Sequence, residues 1–159
     1  MKDIKFSVTF PKYHPRAGEP THFVEKIWEA VPGDNILYDA INYEVLRPYA
    51  ESFQSKKMWT PKRTTIRAGH RWKKGDMFIP KIWTGLPYRS KPIAICEPLE
   101  VLEVEAFYAS ADEMYLNNNL INDEEMSFIY QDDGFDELED FMNWFNPGQT
   151  FDGQRIRFA

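Results

Sequence analysis

Residues 56–91 hold eleven Lys or Arg against a single acid, Asp76, and Trp59, Trp72, Trp83 and Tyr88 are set among those cations. That mixture suits a ligand with both a phosphate and a base. An ammonium or guanidinium answers the phosphate, and a ring stacks on the base. Arg67, Arg71 and Lys73 are the candidates for phosphate contact, and Arg is the better planar clamp. Trp83, Tyr88 and Arg89 surround a loop containing Gly85 and Pro87, where an aromatic can stack on a base. Each has a plainer alternative role: the cations can face the acidic part of the chain, and Trp83 can pack in a core.

The chain as a whole is acidic, net −6 over 159 residues, because residues 97–159 carry sixteen Asp or Glu and only Arg155 and Arg157. The field of that part repels phosphate, which argues against wrapping a long duplex. The length suggests one domain, 1–159, long enough to bury a core without staples. Cys96 is alone, so a disulfide framework is excluded and a reducing, cytoplasmic compartment is expected. No apolar run approaches the ~18 residues of a membrane span, and the alternating start Met1-Lys2-Asp3-Ile4-Lys5 does not read as a signal peptide. With three His and one Cys, a closed structural zinc site is not expected, and neither metal nor cofactor is implied. His14, in a Pro-rich loop, reads as satisfying backbone groups, and Cys96 as a small apolar residue in a strand.

The groups are positioned by short elements bounded by Pro and Gly. Ile4, Phe6, Val8 and Phe10 alternate and predict a strand over 4–10. Phe23, Val24, Ile27, Trp28 and Val31 fall at helical spacing, with Thr21 as candidate cap and Pro32-Gly33-Asp34 as stop. Leu37, Ile41, Val45 and Tyr49 suggest a second helix within 35–53, ending near Pro48. Strands are predicted over 61–66, 77–83, 93–96 and 99–107, the last with Glu100, Glu103 and Glu105 on a wet face. Asn117-Asn118-Asn119 reads as a hairpin tip. Asp136 is the candidate cap of a helix carrying Leu138, Phe141, Met142, Trp144 and Phe145, and the acidic run 132–140 reads as its solvated start. A closing strand follows within 151–158. This order predicts an α+β fold built on a small, mostly antiparallel β-barrel or sheet with flanking helices.

Several of these segments, taken together, resemble the ASCH family of the PUA-like superfamily. Lys62-Arg63-Thr64-Thr65-Ile66-Arg67, followed by Trp72-Lys73-Lys74-Gly75-Asp76, is similar to the family's Lys-containing turn and strand running into a W/F-K-x-G-D turn. Asp132-Asp133-Gly134-Phe135 at the start of the late helix, the pairs Asp140-Phe141 and Trp144-Phe145, and Phe151-Asp152-Gly153 also look like that family. The resemblance covers most of 1–31 and 60–159 and leaves 32–59 as a helical insertion. It implies a PUA-like barrel with a cleft beside the first helix, suited to RNA or a modified nucleoside. Lys62, Thr65 and Arg67 are also similar to a branch of small bacterial amidohydrolases acting on N4-acetylcytidine. In that branch the matching Lys, the matching Thr and a later Glu form the catalytic set. Asp132 or Asp133, shorter by a methylene, lies nearest the place of the Glu, with Asp133 the catalytic candidate. Thr60 stands where the family has Gly two residues before the Lys.

The chemistry this implies sets a geometric condition. In a regular strand Lys62, Thr64 and Ile66 share one face, while Arg63, Thr65 and Arg67 share the other. Lys62 and Thr65 then meet only if Lys62 lies on a bend ahead of the strand, which Pro61 allows. Thr is a weak nucleophile and needs a base beside it. A Lys serves once burial or neighbouring cations lower its pKa. Three functions are open to these residues: binding of RNA or a modified nucleoside in a basic cleft, hydrolysis of an acylated nucleobase by Thr65 with Lys62 as base, or adaptor contacts through the acidic C-terminal half or the 32–59 insertion.

Overall fold

The computed structural model describes residues 1–35, 44–49, 58–145 and 148–159. The fold is α+β, with two mostly antiparallel sheets. In the first, β1 (Lys2–Phe6) runs parallel to β3 (Met77–Trp83), in a register that pairs Ile4 with Pro80 and Phe6 with Ile82. On its other side β3 is antiparallel to β4 (Pro92–Ala94) and β5 (Leu99–Glu100). Alternation decides the faces: Ile4 and Phe6 of β1, and Phe78 and Ile82 of β3, turn inward.

The second sheet has the order β2 (Thr64–Ala68), β9 (Phe151–Arg157), β6 (Glu103–Ala109), β7 (Met114–Leu116) and β8 (Asn119–Leu120). The strand expected over 99–107 is therefore two strands. Its break at Val101 and Leu102 passes the chain between sheets: Val101 N–H donates to the Asp76 carbonyl, and Leu102 N–H to the Arg157 carbonyl. Asn117 and Asn118 form the tip between β7 and β8, both with positive φ, the backbone a tight hairpin turn requires.

A closed barrel does not form among the described residues. β1 and β2 are edge strands of different sheets, and Lys5 and Ser7 on one side and Thr65 and Arg67 on the other line a cavity between them. The strand expected over 4–10 also stops at Phe6. Beyond it the backbone turns to the next segment, where the Thr21 hydroxyl donates to the Ser7 carbonyl and Thr21 N–H to the Val8 carbonyl.

Helix α1 (Phe23–Ala30) packs into the core through Val24, Ile27 and Trp28. Its N-cap is His22, with φ of 58°, and Thr21 contributes one residue earlier by accepting from Phe23 N–H at 3.3 Å. Two clusters share the interior. One joins α1 to the first sheet through Ile4, Phe6, Ile27, Phe78 and Ile82. The other gathers Phe10, Phe23, Ile66, Phe107, Phe135 and Phe141. Burying each such aromatic stabilises the fold by about 1.5–3 kcal/mol.

Helix α2 (Asp123–Asp132) was not expected from apolar periodicity, because only Ile129 of its residues is buried. Its signal is local. The Asn122 side chain accepts from Glu125 N–H at 2.8 Å and donates to Glu125 Oε1 at 3.1 Å, a reciprocal cap. The run 132–140 is thus not a solvated helix start. Asp132 and Asp133 close α2, and Asp133 and Asp140 are buried. Helix α3 (Leu138–Trp144) starts from Glu137, not Asp136, whose carboxylate instead takes the Lys26 ammonium at 3.0 Å. Most of the helical insertion expected at 32–59, and of the second helix within it, lies outside the described residues. Of that stretch residues 44–46 are helical, Leu46 is buried in the core, and the Tyr49 hydroxyl donates to the Thr84 carbonyl at 2.9 Å. No helix among the described residues is long and apolar enough to cross a membrane.

Candidate functional site

The cleft between β1 and β2 has two connected parts. The inner part is a chamber of about 50 Å3, and Lys62, Thr65 and Asp133 all line it. Lys62 sits before β2 begins at Thr64, outside the strand and free of its alternation. Lys62 and Thr65 consequently share one wall of the cleft although strict alternation separates them. Arg63 points away, toward Asp132 at 3.6 Å.

Local structure explains how a Lys comes to be buried here. Helix α2 ends in a backbone-satisfied turn: Gly134 N–H donates to the Gln131 carbonyl and Phe135 N–H to the Tyr130 carbonyl. Gly134 takes φ of 90°, the left-handed value such an ending demands. A Cβ on Gly134 would lie 3.0 Å from three carbons of the Lys62 stem, so this glycine also makes room for the lysine. Lys62 Nζ then donates to the Asp133 carbonyl and, at 3.2 Å, to Asp133 Oδ1. A cation at carbonyls that end a helix is favourably placed. Lys26, also buried, does the same next door, donating to the Gly134 carbonyl at 2.7 Å. The rings of Phe23 and Phe6 complete the Lys62 envelope, with centroids 4.4 and 5.7 Å from Nζ.

Lys62 is 2% exposed. Burial, helped by Arg67 and Lys26 and opposed by Asp133, brings its pKa down to about 8. Burial also raises the Asp133 carboxyl above its ordinary range, against the pull of Lys62, Arg155 and Arg67. Desolvation thus pushes both partners toward their neutral forms, which suits a pair that exchanges protons. Thr65 Oγ1 accepts from Arg67 Nε at 3.1 Å. Its own O–H remains a donor, and a negative charge developing on that oxygen would meet the guanidinium.

The outer part is a basin of about 460 Å3, lined among others by Lys5, Arg67, Arg71, Trp83 and Tyr88. Lys5, Ser7 and Arg67 border both parts. Trp83 is not core. It is half-buried, faces the basin, and lies 5.2 Å from the Tyr88 ring, with Lys5 Nζ 5.3 Å from its own centroid. Tyr88 is 90% exposed, held out by a loop closed on itself through Thr84 Oγ1 to the Lys91 carbonyl and Gly85 N–H to Ser90 Oγ. Arg71 stacks over Trp72, 5.4 Å from its centroid.

Of the residues singled out in the sequence, Lys62, Thr65 and Asp133 meet in the chamber, and Arg67, Arg71, Trp83 and Tyr88 meet in the basin. Lys73 and Arg89 do not line either part. Lys73 N–H is engaged by Asp76 at 3.0 Å, and Arg89 is exposed on the far run of its loop. Asp132 is excluded from the chamber, since it binds Arg157 at 2.7 Å and Arg155 at 3.3 Å outside it. His14 is buried between the Asp140 carbonyl and Arg16 N–H, and Cys96 is buried with its thiol pushed up to about 12. Sequence reasoning missed Lys5, Ser7, Lys26 and Gly134. Lys5 and Ser7 carried only the alternation of a strand, and Gly134 had the signal of a helix end that was read as a helix start.

Among the described residues no group of three or more His, Cys, Asp or Glu is placed to hold a metal ion. Compared with protein-family models, with curated proteins and with solved structures, the chain matches none.

Proposed function

We propose that this chain binds a base-bearing ligand, RNA or a modified nucleoside, in the cleft between β1 and β2, with 1–159 as one ASCH-like domain of PUA-like type. The observation that carries this is the convergence, around one basin, of a tilted aromatic pair and three cations: Trp83 and Tyr88 with Lys5, Arg67 and Arg71. A ring pair receives a base, and guanidiniums receive phosphate or base edges. Protein purified without nuclease treatment is expected to carry material absorbing at 260 nm, and its affinity for short RNA to fall with salt. Nucleic-acid-free protein that binds neither RNA nor nucleosides at low salt contradicts the proposal.

A second reading, hydrolysis of an acylated nucleobase amide, is favoured by the chamber itself. Neutral Lys62 takes the Thr65 proton as Oγ1 attacks the acyl carbonyl. The tetrahedral oxyanion collapses, the C–N bond breaks, and the nucleobase amine leaves with the proton returned by Lys62. Water then hydrolyses the acyl-Thr65 ester with Lys62 again as base, releasing the acid. Asp133 holds the Lys62 head in place. Acetate release from N4-acetylcytidine is the test. The rate is expected to rise with pH through about 8 as Lys62 loses its proton. It is expected to survive in Thr65→Ser and to vanish in Thr65→Val. Full activity in Thr65→Val removes this mechanism while leaving the binding site in place.

A further inference from the structure

Outside the 32–59 stretch, the arginines of this chain fall into two groups by their partners. Arg16 binds Asp140 at 2.6 Å, Arg155 binds Glu105 at 2.7 Å, Arg157 binds Asp132 at 2.7 Å, and Arg63 lies 3.6 Å from Asp132. Arg67 and Arg71 have no carboxylate within 4.0 Å among the described residues, and both line the basin. Arg89 also lacks one but is exposed and does not line the basin. Arg67 is half-buried, donating to Thr65 Oγ1 and lying over the Phe6 ring, whose centroid is 5.0 Å away. A guanidinium withdrawn from water without a salt-bridge partner is unfavourable, and burial, opposed by the more distant charge of Asp133, holds Arg67 down at about 10.

The basin contains one acid, Asp3, and it is already engaged: Lys5 takes Oδ1 at 2.9 Å and Lys81 takes Oδ2 at 3.2 Å. Arg71 is fixed for use. Lys2 donates to its carbonyl at 3.2 Å, and the ring of buried Trp72 supports its guanidinium. Two unanswered guanidiniums beside an aromatic pair define a place for an anionic group attached to a base.

We infer that the cleft takes a nucleoside monophosphate, its base against Trp83 and Tyr88 and its phosphate on Arg67 and Arg71. This rests on the base-binding reading and deepens it. A single nucleotide is favoured over a strand on two counts. The basin, about 460 Å3, has the size of a small-molecule site. Its cations also form a cluster, not a track, because Lys73, Lys74 and Arg89, which would extend it, lie outside the lining.

The test is calorimetric titration of the full chain with the four ribonucleosides and N4-acetylcytidine, each with and without a 5′-phosphate, and with a 5′-phosphorylated hexaribonucleotide. At least one monophosphate is expected to bind about tenfold or more tightly than its nucleoside, the worth of one charge-assisted contact. That gap is expected to close in Arg71→Gln and to persist in part in Arg71→Lys, and raised salt should narrow it. Equal affinity for a nucleoside and its monophosphate overturns the phosphate subsite and leaves the base-binding reading standing. A hexaribonucleotide bound more than tenfold above every monophosphate overturns the single-nucleotide ligand in favour of a strand. No binding by any of them overturns both.

Discussion

The two ends of the cleft treat charge in opposite ways. At the inner end the buried lysines are answered by the protein: Lys62, in the chamber, by Asp133, and Lys26, beside it, by the Gly134 carbonyl and Asp136. In the outer basin Arg67 and Arg71 are left without carboxylates, and an aromatic pair stands beside them. The contrast separates two jobs. A buried pair pushed toward neutrality handles protons on a reacting group, whereas unanswered cations at an open mouth wait for a ligand's charge. Arg67 belongs to both ends, touching Thr65 inward and lining the basin outward.

The largest expected effect lies in the chamber. Asp133→Ala leaves the Lys62 ammonium buried without its carboxylate and is expected to destabilise the fold by about 3–5 kcal/mol, measured by urea unfolding at pH 7. The double variant Lys62→Met with Asp133→Leu is expected to recover most of that loss. A double variant as unstable as the single one would mean that packing, and not the unpaired charge, is at stake.

Next comes pH. Unfolded Lys62 holds its proton up to its ordinary 10.5, and folded Lys62 releases it at about 8. Between those values the unfolded chain binds more protons, so this group makes stability rise with pH across that window, by up to about 3 kcal/mol, and contributes no slope below it. The rise is expected to disappear in Lys62→Met, as followed by urea midpoints from pH 7 to 10.5.

The basin gives the smallest structural and the clearest functional effects. Trp83→Ala is expected to weaken ligand binding by about 1–3 kcal/mol, the worth of one base–aromatic stack. Tyr88→Ala should likewise weaken binding while changing stability by no more than about 0.5 kcal/mol, since the ring is exposed. Unfolding midpoints and calorimetry on the same preparations check the pair. A large stability loss in Tyr88→Ala would erase the distinction between the two ends.

Much of the site was legible along the chain, for definable reasons. Period-two alternation placed Thr65 and Arg67 on one side of β2, and they are hydrogen-bonded there. Lys62 joins them because β2 begins only at Thr64, which leaves it outside the alternation. The choice between Asp132 and Asp133 was not legible, because adjacent residues at a helix end point in directions set by the turn that follows. Gly134 was the clue, but without a visible apolar stripe α2 went unseen, and the Asn122–Glu125 cap was its remaining local mark. For Trp83, stacking on a ligand and packing in a core were both open, because an aromatic in a strand suits either. Its half-buried place at the end of β3, facing the basin, depends on β1 and the 84–91 loop around it, which the residues next to Trp83 do not announce.

By itself the sequence determined most of the element types, α2 excepted, together with the alternating faces and the cationic, aromatic character of the middle third, because these follow from local sterics, period and composition. Tertiary structure alone decided which cations would be neutralised and which would not. Pairing depends on where α2 ends relative to Lys62 and on the gap between two sheet edges, and both are set by contacts between segments far apart in the chain.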